Sequence, residues 1–222
     1  MAEPDRAVAR QMALDAIARG DATGWFEALY QSAAGQTGAI PWADLAVNPN
    51  LADWLVVRPL ASLGKRTLVV GCGLGDDAEH LAALALHVTA FDISATAIAW
   101  CRQRFPDSAV NYRVADLLDP PFEWQAEFDF IFEAYTLQAL PPELRARAIV
   151  KLAGLLAPGG LLLVVARARQ ADEPVGTLPW PLTREDLAGL NGAGLETQSL
   201  EEYFDLEDPP VRRFRATYRR PQ

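Results

Sequence analysis

Apolar positions change rhythm at Lys65. From there they fall into short runs separated by helical stripes. Thr67-Leu-Val-Val70 is a β-branched, apolar run that ends in glycines at Gly71, Gly73 and Gly75. Residues 76–86 then put Ala78, Leu81, Ala82 and Ala85 on one face of a predicted helix. His87–Phe91 reads as the next strand. Ser94 follows as an N-cap for a helix with Ala97, Ile98, Cys101 and Phe105 on one stripe. Val110–Val114 and Phe128–Phe132 are further strands. Pro141-Pro142 open a helix with Leu144, Ala148, Leu152 and Leu155 inward, a normal use of proline in a first turn. Pro158-Gly159-Gly160 turns into Leu161–Ala166, the most apolar run and the predicted central strand. A proline-rich loop around Trp180 follows, then a short helix from Thr183 with Asp186 completing a capping box. Two strands flank Asp208-Pro-Pro210. In the second, Phe214, Ala216 and Tyr218 alternate with Arg213, Arg215, Thr217 and Arg219, the signature of a half-exposed antiparallel strand.

The earlier part of the chain has no period-2 pattern. Residues 5–19, 24–34 and 51–57 read as helices, punctuated by Ile40-Pro-Trp42 and Asn48-Pro-Asn50. With too few periodic apolar residues to close a core of their own, residues 1–63 are expected to form a helical cap on a domain spanning 64–222. Alternating strands and helices imply an α/β fold, a doubly wound and mostly parallel sheet that binds ligands at the carboxyl ends of its strands.

Composition narrows the partners. A net charge of −9 argues against a nucleic-acid backbone as ligand. The one basic cluster, Arg212, Arg213, Arg215, Arg219 and Arg220, reads as a strand's solvent face and a solvated tail. Two cysteines form no disulfide framework, the first residues lack an apolar signal core, and no segment approaches the ~18 apolar residues of a membrane span. The expectation is a cytoplasmic protein with no membrane partner and no metal site, working as a monomer or homodimer.

Four consecutive strand ends carry glycine or carboxylate: Gly71, Cys72 and Gly73; Asp92 and Ile93; Asp116 and Leu117; Glu133 to Tyr135. The glycines follow G-x-G-x-G. Where the dinucleotide fingerprint has its third glycine, this chain has Asp76, followed by Asp77. Two acids suit a helix N-terminus but repel a pyrophosphate. A phosphate-free nucleoside with a cationic end fits better, and S-adenosylmethionine is such a ligand. Asp92, 21 residues beyond Gly71, is placed to accept both ribose hydroxyls. Asp116 is placed to accept the adenine amino proton, with Ile93 and Leu117 against the ring.

These residues resemble the class I S-adenosylmethionine-dependent methyltransferases. The likeness runs from about Lys65 to the C-terminus, through Val70-Gly-Cys-Gly-Leu-Gly75, Phe91-Asp-Ile-Ser94, Ala115-Asp-Leu117, Phe128-Asp-Phe-Ile-Phe-Glu133 and Leu156-Ala-Pro-Gly-Gly-Leu161. The resemblance implies a seven-stranded Rossmann-like sheet with its last strand antiparallel, methyl transfer, and S-adenosylhomocysteine as product. The cap, with Trp25, Tyr30 and Ile40-Pro-Trp42, is similar to that of thiopurine S-methyltransferase-like enzymes, which close an N-terminal segment over the cofactor. The superfamily often has an acid two residues before the first glycine; here Val69 stands there, and Asp76, Asp77 or Glu133 is left to meet the methionine ammonium, with Asp77 and Glu133 favoured.

Trp42 and Tyr30 are candidates to face the sulfonium by cation–π attraction. Cys72 reads as a small turn residue offering its backbone N–H, and Cys101 as core. His80 and His87 are poorly placed as bases. The acceptor is therefore expected to be a small molecule that is already nucleophilic, such as a thiol, or one deprotonated by Glu133 or Tyr135. A nicotinamide-dependent oxidoreductase and a non-catalytic protein binding a partner through the C-terminal arginines are the other readings compatible with the residues.

Overall fold

Backbone pairing gathers seven strands into one sheet. The computed structural model describes residues 3–222; the first two residues of the predicted 1–63 cap lie outside this range. Helices α1 (Glu3–Ala18), α2 (Gly24–Ala33) and α3 (Pro49–Val56) precede strand β1 (Arg66–Val70). Then follow α4 (Asp76–Ala83), β2 (His87–Asp92), α5 (Ala95–Arg104), β3 (Asn111–Val114), β4 (Phe128–Ala134), α6 (Pro142–Leu155), β5 (Leu156–Arg167), α7 (Arg184–Gly192), β6 (Glu196–Phe204) and β7 (Arg212–Arg219). Strand order is β3-β2-β1-β4-β5-β7-β6. Neighbours from β3 through β5 are parallel, and β7 inserts antiparallel between β5 and β6. The order reverses between β1 and β4, so the ligand crevice of such a sheet opens at their carboxyl ends.

Both faces of the central strands are covered, which is why their sequences are apolar almost without alternation. On one face Leu68, Val70, Ile131, Leu162 and Val164 pack with Ala148, Ile149 and Leu152 of α6 and Leu187 and Leu190 of α7. On the other, Val69, Ala90, Phe130, Phe132 and Val165 meet Leu51 and Trp54 of α3, Leu81 of α4 and Ile98 of α5. Trp54 stacks on Phe130 with centroids 5.3 Å apart and donates its buried Nε1–H to Thr217 Oγ1 at 2.9 Å. Truncating an aromatic so enclosed costs about 3–5 kcal/mol. α1 and α2 build a third cluster from Ala13, Trp25, Leu29, Tyr30 and Ile40, completed by Leu74 beyond β1 and Ala97 of α5. Among the described residues no helix is long and apolar enough to cross a membrane.

The local end signals act where the sequence places them. Ser94 accepts from Ala97 N, Asn48 accepts from Asn50 N ahead of Pro49, and Thr183 with Asp186 forms a reciprocal capping box. Three expectations change. Ala85 is exposed, with φ of +62°, because α4 stops at Ala83 and the chain turns; Leu86 is buried instead. β5 begins at Leu156, before the Pro158-Gly159-Gly160 turn, and its register with β4 jumps from Phe128↔Leu156 to Phe130↔Leu161. Finally, β7 is an interior strand with Arg213 and Thr217 buried, and its arginines are not a free basic face. Arg213 pairs with Asp205 at 2.6 Å and with Glu207, Arg215 with Glu201 at 2.6 Å, and Arg212 with Glu173 at 2.9 Å. Arg219 and Arg220 donate to the carbonyls of Gly159 and Leu156. Alternation reports which side a residue points to; partners outside its own run decide whether that side is wet.

Candidate cofactor and active site

The glycine turn is bound to the end of β2 by two hydrogen bonds. Cys72 N–H donates to Phe91 O at 2.8 Å, and Gly73 N–H donates to Asp92 Oδ2 at 3.0 Å. The backbone N–H of Cys72 is therefore used inside the fold, contrary to the expectation that it faces a ligand. The thiol is held well above its ordinary range by a hydrogen bond with Cys101 and by burial, which keeps it protonated and non-nucleophilic. Cys101, fully enclosed, donates to Gly73 O at 3.2 Å. Gly71 and Gly73 both have positive φ, +59° and +54°. A Cβ at Gly73 would lie 3.4 Å from Tyr30 Oη and 3.8 Å from Trp42 Nε1, so a side-chain-free surface faces these two aromatic residues.

Asp92 is the centre of this arrangement. Its Oδ1 accepts from Ser94 N–H at 2.9 Å, its Oδ2 from Gly73, and burial raises the carboxyl to about 6. The backbone of Ile93 also hydrogen-bonds the carboxylate, and of its roughly four acceptor positions at least one remains. Ala115 N–H donates to Asp92 O at 3.1 Å, which brings the loop after β3 beside it. There Asp116 is half-buried and accepts from Leu118 N–H at 2.8 Å through Oδ1. Ile93 is half-buried, while Leu117 lies in the core with Phe91 and Trp124.

The two acids at the mouth of α4 have separate fates. Asp76 forms a two-pronged pair with Arg104, at 2.9 and 2.8 Å, so its charge is neutralised by α5 and is not offered to a ligand. Repulsion of phosphate by an acid pair thus reduces to Asp77 alone. Asp77 Oδ1 accepts from Asn48 N–H of the cap at 2.7 Å, and burial raises its carboxyl to about 6. Val69 is core, on the sheet face shared with Ala90 and Phe132.

The cap is latched by a residue with no periodic signal. Glu27 of α2 accepts from Ser94 Oγ at 2.6 Å, Thr96 Oγ1 at 2.7 Å and Thr96 N–H at 3.1 Å, seating a carboxylate on the N-terminus of α5. This places Tyr30 and Trp42 over Gly73. Trp42 Nε1–H donates to Tyr30 Oη at 2.9 Å; Tyr30 is buried edge-on to Trp100, and Trp42 stays partly exposed. Burial and nearby Asp92 push the Tyr30 phenol well above its ordinary range, so it remains neutral.

At the end of β4, Glu133 is wholly enclosed. Its Oε1 accepts from Thr136 N–H at 2.7 Å and Leu137 N–H at 3.0 Å, its Oε2 has no partner, and burial raises it to about 7. That geometry caps the following loop, with the carboxylate buried away from the surface. Tyr135 is half-buried with φ of +67°, uncommon for a bulky residue. Burial raises its phenol, with Arg213 pulling it back. Asn50 Nδ2 lies 3.4 Å from Tyr135 Oη, Tyr203 Oη donates to Asn50 Oδ1, and Asn48 Oδ1 accepts from Asn50 Nδ2 at 2.9 Å. A polar chain thus runs from Asp77 beside the glycine turn to Tyr135 and β6. Glu27 and Arg104 carry no motif, and Asn48 and Asn50 read in the sequence only as loop punctuation; their links to Ser94, Asp76, Asp77 and Tyr135 are distant in sequence and only folding reveals them. His87 is exposed at the amino end of β2, and His80 lies within α4.

A Rossmann-like sheet with a glycine turn at β1 and acids at the next strand ends defines a class of protein. Residues 68–160 match the family described as "Methyltransferase domain". That stretch holds the glycine turn and the acids at the ends of β2, β3 and β4, so this part of the chain is similar to methyltransferase domains. The chain is 33% identical over 116 residues to a ubiquinone biosynthesis O-methyltransferase of Aromatoleum aromaticum, covering 51% of this chain and 48% of that one. A probable thiol methyltransferase 2 of Arabidopsis thaliana is 30% identical over 132 residues, covering 59% and 58%. The chain thus spans about half the length of the curated relatives it matches. Among solved structures, Burkholderia thailandensis 1,6-didemethyltoxoflavin-N1-methyltransferase, with bound 1,6-didemethyltoxoflavin and S-adenosylhomocysteine, superposes with a TM-score of 0.69 at 18% identity, covering 100% of this chain and 92% of that one. That likeness is one of fold.

Proposed function

We propose that the chain is an S-adenosylmethionine-dependent methyltransferase that modifies a small molecule by in-line transfer, through positioning and exclusion of water, with no protein base. The observation that carries this reading is the bond from Gly73 N–H to Asp92. It fixes a side-chain-free turn against a buried acid with acceptor capacity to spare, beneath a cap of neutral aromatic residues. These residues fit the cofactor. When bound, S-adenosylmethionine supplies a methyl group on a sulfonium that is already an excellent leaving group.

Asp92 would receive the ribose hydroxyls, Asp116 the adenine amino proton, and Ile93 and Leu117 would border the ring. Gly71 and Gly73 allow close approach. Asp77 Oδ2 would meet the ammonium, since Asp76 is committed to Arg104 and Glu133 to the loop after β4. Tyr30 and Trp42 would line the methyl-transfer side. Tyr135 donates or accepts as a neutral phenol. With His87 exposed at the amino end of β2, His80 a turn into α4 and Glu133 enclosed, the acceptor arrives nucleophilic, a thiol ionised near neutral pH being the simplest case; the likeness to the thiol methyltransferase supports it. The partial likeness to ubiquinone biosynthesis O-methyltransferases favours oxygen as the second reading. The two free cysteines support work in a reducing compartment, the cytoplasm.

Thermal unfolding in the presence of S-adenosylmethionine, S-adenosylhomocysteine, NAD and NADP in turn tests the cofactor. At ~100 times its dissociation constant a ligand stabilises by ~2.7 kcal/mol, a rise of several degrees at most for this size. A rise with NAD alone would overturn the reading, and none with any of the four would favour a binding protein.

A further inference from the structure

At the carboxyl end of β5 stands a cation with no ion pair among the described residues. Arg167, the last residue of β5, stands opposite Arg213 of β7, and Arg213 stands opposite Tyr203 of β6. Residues directly opposite in antiparallel strands share a face, so Arg167, Arg213 and Tyr203 form a row. Arg213 is compensated by Asp205 at 2.6 Å and by Glu207, with its guanidinium 5.1 Å from the Tyr135 ring. Arg167 is not. Among the described residues its guanidinium makes no ion pair and no hydrogen bond; only its backbone N–H is engaged, by Gln138 Oε1 at 2.6 Å. The side chain is half-buried, and its charge is felt by Arg213, Glu207, Arg6 of α1 and Tyr135. Burial, with Arg213, holds it below its ordinary range.

Like charges directly opposite in a sheet destabilise it, and a cation drawn from water without a partner adds to that cost. Folding alone would be served better by a neutral residue. The whole chain carries a net charge of −9, so Arg167 is not part of a generally basic surface; what it lacks is a carboxylate of its own. Its place is informative as well: it borders Tyr135, on the edge of the sheet where the glycine turn emerges from β1.

We propose that Arg167 is a binding residue for an anionic group of the methyl acceptor, and that the acceptors are small organic acids whose carboxylate meets the guanidinium. This rests on the methyltransferase reading and names its substrate class. A guanidinium presents parallel N–H donors that match a carboxylate, and such a pair would supply the missing counter-ion. β1 and β5 are separated by β4, and Arg167 stands two residues beyond the level of Gly71, so the backbones of the two lie roughly 12 Å apart. That separation suits an acid whose carboxylate and reacting atom are divided by one aromatic ring or a short chain.

The test compares benzoate and 4-mercaptobenzoate with their neutral amides by ligand-observed NMR, on the full chain, with and without S-adenosylhomocysteine. Each acid is expected to bind at least about tenfold more tightly than its amide. Arg167→Gln should abolish that preference, and Arg167→Lys should keep part of it. Arg167→Gln should also unfold at an equal or higher temperature, since it removes a like-charge pair, and should bind S-adenosylhomocysteine as wild type does. Equal affinity for acid and amide, no acid binding up to roughly 50 mM, or a preference that survives Arg167→Gln would each overturn the proposal. Failure of S-adenosylhomocysteine to bind wild type would instead count against the methyltransferase reading, and the titrations without it would still score the anion site.

Discussion

Replacing Asp92 with asparagine separates what the carboxylate does for the fold from what it does for a ligand. Wild-type Asp92 accepts from Gly73 N–H at 3.0 Å and Ser94 N–H at 2.9 Å, and burial moves its carboxyl from 3.8 to about 6. At about 1.4 kcal/mol per pH unit that displacement is worth about 3 kcal/mol. The folded state holds the proton more tightly than the unfolded chain. The associated stability is therefore complete below about pH 4 and is lost as pH rises to about 6. Asparagine has no such dependence. Between pH 4 and pH 7 the stability of wild type relative to Asp92→Asn should fall by about 3 kcal/mol. At neutral pH the variant gains that relief but turns an amide donor toward one backbone N–H, an opposing cost of about 1–3 kcal/mol. The two should nearly cancel. Cofactor affinity has no such compensation: losing a charged acceptor of the ribose hydroxyls should weaken S-adenosylhomocysteine binding at least about tenfold at pH 7.5. In wild type, affinity should also decline as pH falls through about 6, because binding favours the ionised acid. Urea unfolding at a series of pH values and calorimetric titration measure both quantities. A stability difference that ignores pH would refute the burial argument, and unchanged affinity would refute the ribose assignment.

Glu133→Gln keeps an acceptor for Thr136 and Leu137 and replaces an unpartnered oxygen. Burial raises Glu133 from 4.5 to about 7, so the variant should lose the decline in wild-type stability across that interval and unfold at a higher temperature at pH 8. Its kcat should stay within about twofold; a loss of 10²–10⁴-fold, the scale of a missing general base, would restore Glu133 to catalysis. Glu27→Ala removes three hydrogen bonds between the cap and α5. Allowing for partial exposure, it should cost about 2–3 kcal/mol in chemical unfolding and weaken S-adenosylhomocysteine binding, because Tyr30 and Trp42 lose their seat; unchanged affinity would show that the cap does not serve the cofactor.

The parts of this protein legible in its sequence are those set by short-range physics. Hydrophobic runs of strand length, the helical stripes, the caps at Ser94 and Thr183 and the glycine turn all depend on neighbours within a few residues; they appear where expected except at element ends, where Ala85 falls outside α4 and β5 starts early at Leu156. From the alternation of strands and helices the parallel sheet follows, and from the sheet the edge at which acids and glycines gather. Tertiary structure decided the charge state of that edge. Asp76 and Asp77 are adjacent and identical in the chain, yet one is neutralised by Arg104 and the other is buried against Asn48. Arg213 of β7 is covered by two acids of the turn between β6 and β7, while Arg167 of β5, in an apolar run that promised only a strand, stands opposite it with no ion pair among the described residues. Desolvation and ion pairing depend on groups brought together from far along the chain, and no local pattern encodes them.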